Sequence, residues 1–182
     1  MRHILGTLII TLFFVGVASS AGGKEPWRDS KGNIHTYQEV GSLATEEVRL
    51  SWRPEGWKDI EFAPNKDGYL GMTFVDKKEI TVWIRPEHSP SEVAATIVHE
   101  LGHAFDVTYL NPELRAKWIS ARKLPKSTPW DLSCNGCSDH IVGSGDFAES
   151  VAWTFQGPNM KFDSKLGPPP NKEQQKTNTG MV

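Results

Sequence analysis

The chain has 182 residues, enough for one domain, with 38% hydrophobic, 10% aromatic and 23% charged residues. That mixture excludes a collagen, a coiled coil or a chain disordered throughout. Twenty Lys+Arg against 22 Asp+Glu give a net charge of −2 with no basic run, which argues against nucleic acid held through phosphate contacts. Two cysteines are too few for a disulfide scaffold, so a packed core has to supply most of the stability.

Arg2 and His3 precede an apolar run from Ile4 to Ala18, and Ser19-Ser20-Ala21 follows. This is the basic, apolar and small-residue order of a secretory signal peptide over residues 1–21, cleaved after Ala21. The run is shorter than the roughly 20 residues of a spanning helix, so no membrane anchor is expected after cleavage. The expected location is secreted or periplasmic. Residues 22–44 mix Gly, Lys, Pro, Asp and Asn with little periodicity and read as a flexible lead-in.

The folded domain is expected over 45–166. Val48, Leu50 and Trp52 alternate with Arg49 and Ser51, as in a half-buried strand. Gly68 to Val75 and Glu79 to Arg85 flank Asp76-Lys77-Lys78 and read as two strands joined by a charged turn. Ile80, Val82 and Ile84 share one face; Trp83 lies on the other, packed on a neighbouring element or flanking a substrate groove.

The period then changes. Ser89-Pro90-Ser91-Glu92 combines a serine N-cap, proline at the first helical position and glutamate three after the cap. Val93, Ile97, Val98, Leu101 and Phe105 follow at helical spacing. A second helix is expected from Pro112 to Arg122, and a third from near Asp146 to before Gly157-Pro158. Gly167-Pro168-Pro169-Pro170 and the polar stretch after it read as a disordered tail over 167–182. Strands first and helices afterwards imply an α+β domain.

The first helix carries His99-Glu100-Leu101-Gly102-His103. Residues four apart share a helix face, so the two imidazoles can reach one ion, and neutral imidazole suits Zn²⁺. Glu100 is placed to take a proton from a water that the ion acidifies. Gly102 lets another segment approach closely, at about 1 kcal/mol of helix propensity. A catalytic zinc usually has three protein ligands. The metzincin extension is excluded because Asp106 and Tyr109 stand where glycine and histidine belong. The candidates for the third ligand are Asp146 and Glu149, three apart on the third helix.

HExxH on one helix and Phe147-Ala148-Glu149 on another resembles the gluzincin metallopeptidases, most of all compact members such as the anthrax lethal factor-like and Pro-Pro endopeptidase-like enzymes. The resemblance covers roughly residues 80–155. It implies a zincin-like single domain, a small mixed sheet followed by the active-site helix and a C-terminal helical part. It also implies a sheet edge that binds an extended peptide. In that family alanine lies three after the ligand glutamate, often with an acid four after it. Glu149 with Ala152 fits, although Trp153 replaces the acid; the alternative register puts Gly145 at the ligand position. The resemblance therefore favours Glu149 as third ligand to one zinc ion. If Asp146 binds instead, Glu149 orients a histidine.

Cys134 and Cys137, in an exported chain with no other cysteine, read as a short local disulfide. His140 is either an oxyanion donor or an exposed loop histidine, and Tyr109 is a weaker candidate for the same role. Asp106 is placed to accept a hydrogen bond from a helix neighbour; His35 and His88 read as surface residues. The expectation is a secreted, monomeric zinc endopeptidase with Glu100 as general base. Strand 79–85 would hold a protein or peptide substrate. The alternative is a non-catalytic binding module with a structural or vestigial zinc site.

Overall fold

The computed structural model describes residues 27–131 and 138–181. The proposed signal segment 1–21 and both cysteines lie outside the described residues. The chain is a mixed α+β structure, as its order of patterns implies. No helix among the described residues is long and apolar enough to cross a membrane.

The segment read as a flexible lead-in is instead structured from Trp27. A hairpin of β1 (Trp27–Arg28) and β2 (Ile34–His35) leads into helix α1 (Tyr37–Glu47). Thr36 caps that helix and Glu39 reciprocates, forming a capping box. Gly41 makes the packing possible, because a Cβ there would sit 2.2 Å from the Phe62 ring. Val40 and Ala44 complete the buried face.

Residues 48–52 form no strand. Their burial alternates, but among the described residues no strand pairs with them. The Arg49 amide donates to Gln156 Oε1 at 3.0 Å, and Arg53 Nη1 donates to the Leu50 carbonyl at 2.6 Å. Side chains thus satisfy backbone groups that a sheet would otherwise have paired.

The sheet has three strands in the order β3 (Glu61–Pro64), β5 (Glu79–Ile84), β4 (Gly71–Phe74). β3 runs parallel to β5 and β4 antiparallel to it. A 3-10 turn over Val75–Lys77, closed by Lys78 at φ 52°, joins β4 to β5. The expected substrate strand, β5, is therefore central, with both edges already paired. β4 is the outer strand on that side, so the sheet edge lies one strand away from its expected place. Trp83 is buried beneath Tyr69, ring centroids 5.8 Å apart, with Lys66 Nζ 4.6 Å above its ring. It packs against these two side chains.

Helix α2 (Pro90–Tyr109) starts at the Ser89–Glu92 capping box and lays Val93, Ile97, Val98, Leu101 and Phe105 into the core. Helix α3 (Pro112–Ala121) follows, capped by Asn111. Helix α4 (Gly143–Gln156) begins three residues before Asp146 and is buried along its first ten positions. It crosses α2 at Gly102, where a Cβ would lie 2.8 Å from the Ala148 Cα. Trp118 and Phe147 meet edge to face at 5.1 Å in the centre of the helical layer.

The tail read as disordered forms helix α5 (Lys172–Met181). Asn171 Oδ1 caps it, accepting from the Glu173 and Gln174 amides at 3.0 Å. Its polar residues find partners on the helices beneath. Fully buried Asn178 donates to the Ser150 carbonyl at 3.1 Å and to Thr154 Oγ1 at 2.8 Å. Gln174 Nε2 donates to the Ala121 carbonyl at 2.9 Å. Polarity in a sequence suggests solvation, yet here polar side chains dock the helix.

Candidate metal centre

One open cleft of about 1360 Å³ holds His99, Glu100, His103, Asp139, His140 and Glu149. α2 supplies the first three from the side that faces away from its apolar stripe. The two imidazoles lie one helical turn apart, and their Nε2 atoms approach to 3.2 Å. Asp139 Oδ2 closes the triangle, 3.1 Å from His99 Nε2 and 2.8 Å from His103 Nε2.

These separations test the donor set. Zinc held tetrahedrally at about 2.0–2.1 Å by nitrogen and oxygen sets neighbouring donors roughly 3.3–3.5 Å apart. The triangle, with sides of 3.2, 3.1 and 2.8 Å, is tighter by about 0.1 Å at its longest side and about 0.5 Å or more at its shortest, and two nitrogens with one carboxylate oxygen suit zinc. His99, His103 and Asp139 therefore fit a metal ion. The two Nε2 atoms face each other at 3.2 Å, and both lie within hydrogen-bond reach of the one Asp139 oxygen.

Asp139 stands on a 3-10 turn, Asp139–Ile141, just ahead of α4. Its approach depends on Gly145, where a Cβ would fall 2.1 Å from the Asp139 carbonyl oxygen. Burial works against the Asp139 charge, but hydrogen bonds from His103 and His99 outweigh it and hold its pKa well below the usual carboxylate range. Burial likewise opposes charge on His99, and contacts with Asp139 and Glu149 overcome it, raising its pKa well above the ordinary imidazole value. Two carboxylates thus flank His99, Asp139 at Nε2 and Glu149 at Nδ1.

Glu149, the expected third ligand, sits at the other side of His99. Its Oε2 is 2.8 Å from His99 Nδ1, and its Oε1 accepts from the Asp163 amide at 2.7 Å. With both oxygens engaged, it fixes the ring and its tautomer. Asp146, the alternative ligand, is turned away and fully buried. It accepts from Arg122 Nε and Nη2, each at 2.8 Å, and from Trp118 Nε1 at 3.2 Å. The acid that meets the histidines is Asp139, which sequence patterning missed because a 3-10 turn has no periodicity to read. The only available signal was an acid directly ahead of the helix that bears Glu149.

Glu100 is 6% exposed and points toward β4. Thr73 Oγ1 lies 2.8 Å from its Oε2 and 3.0 Å from its carbonyl oxygen. Gly71 leaves room, since a Cβ there would stand 2.6 Å from Glu100 Oε1. Thr73 had no sequence signal. β4 thus flanks the cleft, and among the described residues no strand pairs with its outer side.

His140 lines the cleft, half-buried, with Nδ1 3.8 Å from Asp139 Oδ1. Tyr109 lies outside it, clustered with Trp52 and Phe105 at 5.8 and 4.9 Å. Asp106 accepts from Arg115 Nε and Trp130 Nε1, each at 2.9 Å, and ties α2 to the helix after it. Comparison with protein-family models, with curated proteins and with solved structures finds no match.

Proposed function

We propose that this chain is a zinc-dependent endopeptidase of the zincin architecture, exported from the cell that makes it. One observation carries the reading: His99, His103 and Asp139 converge on a single point in a cleft that also contains buried Glu100. His99, His103 and Asp139 would hold the ion. When bound, zinc supplies Lewis acidity, which polarises a carbonyl and makes a water acidic near neutral pH.

The chain's own residues divide the remaining work. Glu100 takes a proton from the attacking water and delivers it to the leaving amine. Thr73, on the strand that flanks the cleft, holds Glu100 Oε2 at 2.8 Å. His140 stands at the rim, where a donor to a developing oxyanion is useful. The free side of β4 offers backbone groups to an extended peptide, the means by which sheet edges bind peptides. Glu149 holds His99 in the tautomer that leaves Nε2 free to bind metal.

The decisive experiment compares the native chain with Glu100→Ala, using zinc content and cleavage of a peptide library with and without chelator. Zinc retained and cleavage lost in the variant is the expected result. Zinc bound by both, with no cleavage by either, supports the rival reading of a non-catalytic module with a structural ion. Turnover retained in Glu100→Ala removes Glu100 as the base.

A further inference from the structure

We infer that the backbone of residues 163–165 positions the metal centre, acting as a strap that Arg122 and Asp146 clamp in place. The inference rests on the metal reading above. Three consecutive residues touch two different parts of the site. The Asp163 amide donates to Glu149 Oε1 at 2.7 Å, and the other oxygen of that carboxylate holds His99 Nδ1 at 2.8 Å. The Lys165 amide donates to the His140 carbonyl at 2.7 Å, in the turn that carries Asp139. One short stretch thus supports the supporter of His99 and the turn of the acid opposite it.

The middle residue fastens the strap. Ser164 Oγ donates to Asp146 Oδ1 at 2.7 Å, and Leu166 donates its amide back to Ser164 Oγ at 3.3 Å. Asp146 is fixed in turn by the Arg122 fork, and Arg122 Nη2 reaches on to the Pro168 carbonyl at 2.9 Å. Both members of the ion pair are buried, at 0% and 2% side-chain exposure. Apolar residues of similar volume can replace such a pair with little loss of stability. The pair's distinctive contribution here is direction, since it fixes where the strap's amides point. A carboxylate hydrogen-bonded at both oxygens cannot rotate, so Glu149 presents one geometry to His99.

The test uses the full chain and reads zinc affinity by competition with a chromophoric chelator. Asp163→Pro removes the amide hydrogen, whereas Asp163→Ala keeps it and deletes only the side chain. Asp163→Pro should weaken zinc binding about tenfold, in the range for loss of a group that orients a ligand, with Asp163→Ala within about twofold of native. In a Glu149→Ala background Asp163→Pro should cost no more than about twofold further, because the amide acts through Glu149. Equal effects of the proline and alanine variants, or full additivity with Glu149→Ala, overturn the inference and leave the metal reading intact. A native chain that binds no zinc overturns both. If Asp163→Pro loses its cooperative melt, Ser164→Ala and Ser164→Thr replace it. Weakened zinc binding restored by threonine supports the strap, and native affinity in Ser164→Ala refutes it.

Discussion

Replacing Glu149 by glutamine exchanges one carboxylate oxygen for an NH2 group at a position that needs two acceptors. Glu149 receives the Asp163 amide at 2.7 Å and meets His99 Nδ1 at 2.8 Å. The amide oxygen can still serve the Asp163 amide, but the NH2 group then faces Nδ1. His99 has either to tolerate two opposed donors or to move its hydrogen to Nε2, the nitrogen that belongs to the metal. A hydrogen bond to a charged group contributes about 1.5–3 kcal/mol, which as metal affinity corresponds to roughly the 10–100-fold loss typical of such orienting residues. Asp139→Ala instead removes a donor to the ion and should weaken binding further than Glu149→Gln. Chelator competition at fixed pH, with zinc content after dialysis, measures both. Zinc affinity of Glu149→Gln within twofold of native would refute the orienting role. Loss of all zinc in Glu149→Gln, with Asp139→Ala still loaded, would make Glu149 the ligand and Asp139 a bystander.

Gly145→Ala should loosen the centre without touching a ligand. Its Cβ would fall 2.1 Å from the Asp139 carbonyl oxygen, so the turn has to retreat. Overpacking of this kind costs about 1–3 kcal/mol, partly offset by about 1 kcal/mol of helix propensity; zinc affinity should fall more than stability in urea. A variant with native zinc affinity would show that the Asp139 turn is not held by this contact. Arg122→Met leaves the Asp146 carboxylate buried and unpaired, and should cost about 3–5 kcal/mol in a urea melt. Arg122→Met with Asp146→Leu should recover part of that stability while zinc binding stays weak. Recovery of both would assign the pair to stability alone.

The helix that carries the histidines was legible because each of its signals is local. Ser89, Pro90 and Glu92 mark its start, the apolar period marks its face, and HExxH needs only a helix to bring both rings to one side. Helix α1 carried an equally local signal in Thr36 and Glu39, but its few apolar residues and Gly41 hid the period. Other features depended on partners that one stretch of sequence does not reveal. The alternation at Val48, Leu50 and Trp52 is real burial, but among the described residues no strand pairs with it. Glu79–Ile84 read correctly as a strand, yet its central place follows from β3, whose pairing is parallel and distant in sequence. Spacing and family resemblance both point to α4 for the acid beside the histidines. The geometry instead brings up Asp139 from the turn before it, through a gap that Gly145 leaves open.

Thr73 belongs to the outer strand of the sheet and also grips Glu100 at 2.8 Å. Under the proposed function, the rail along which a peptide lies and the group that handles its proton are therefore parts of one small rigid piece. A ligand long enough to extend that sheet would stiffen the rail and steady the base together. A dipeptide confined to the immediate neighbourhood of the histidines would gain no such help. Preference for longer chains would then arise from mechanical linkage, with no specificity pocket required.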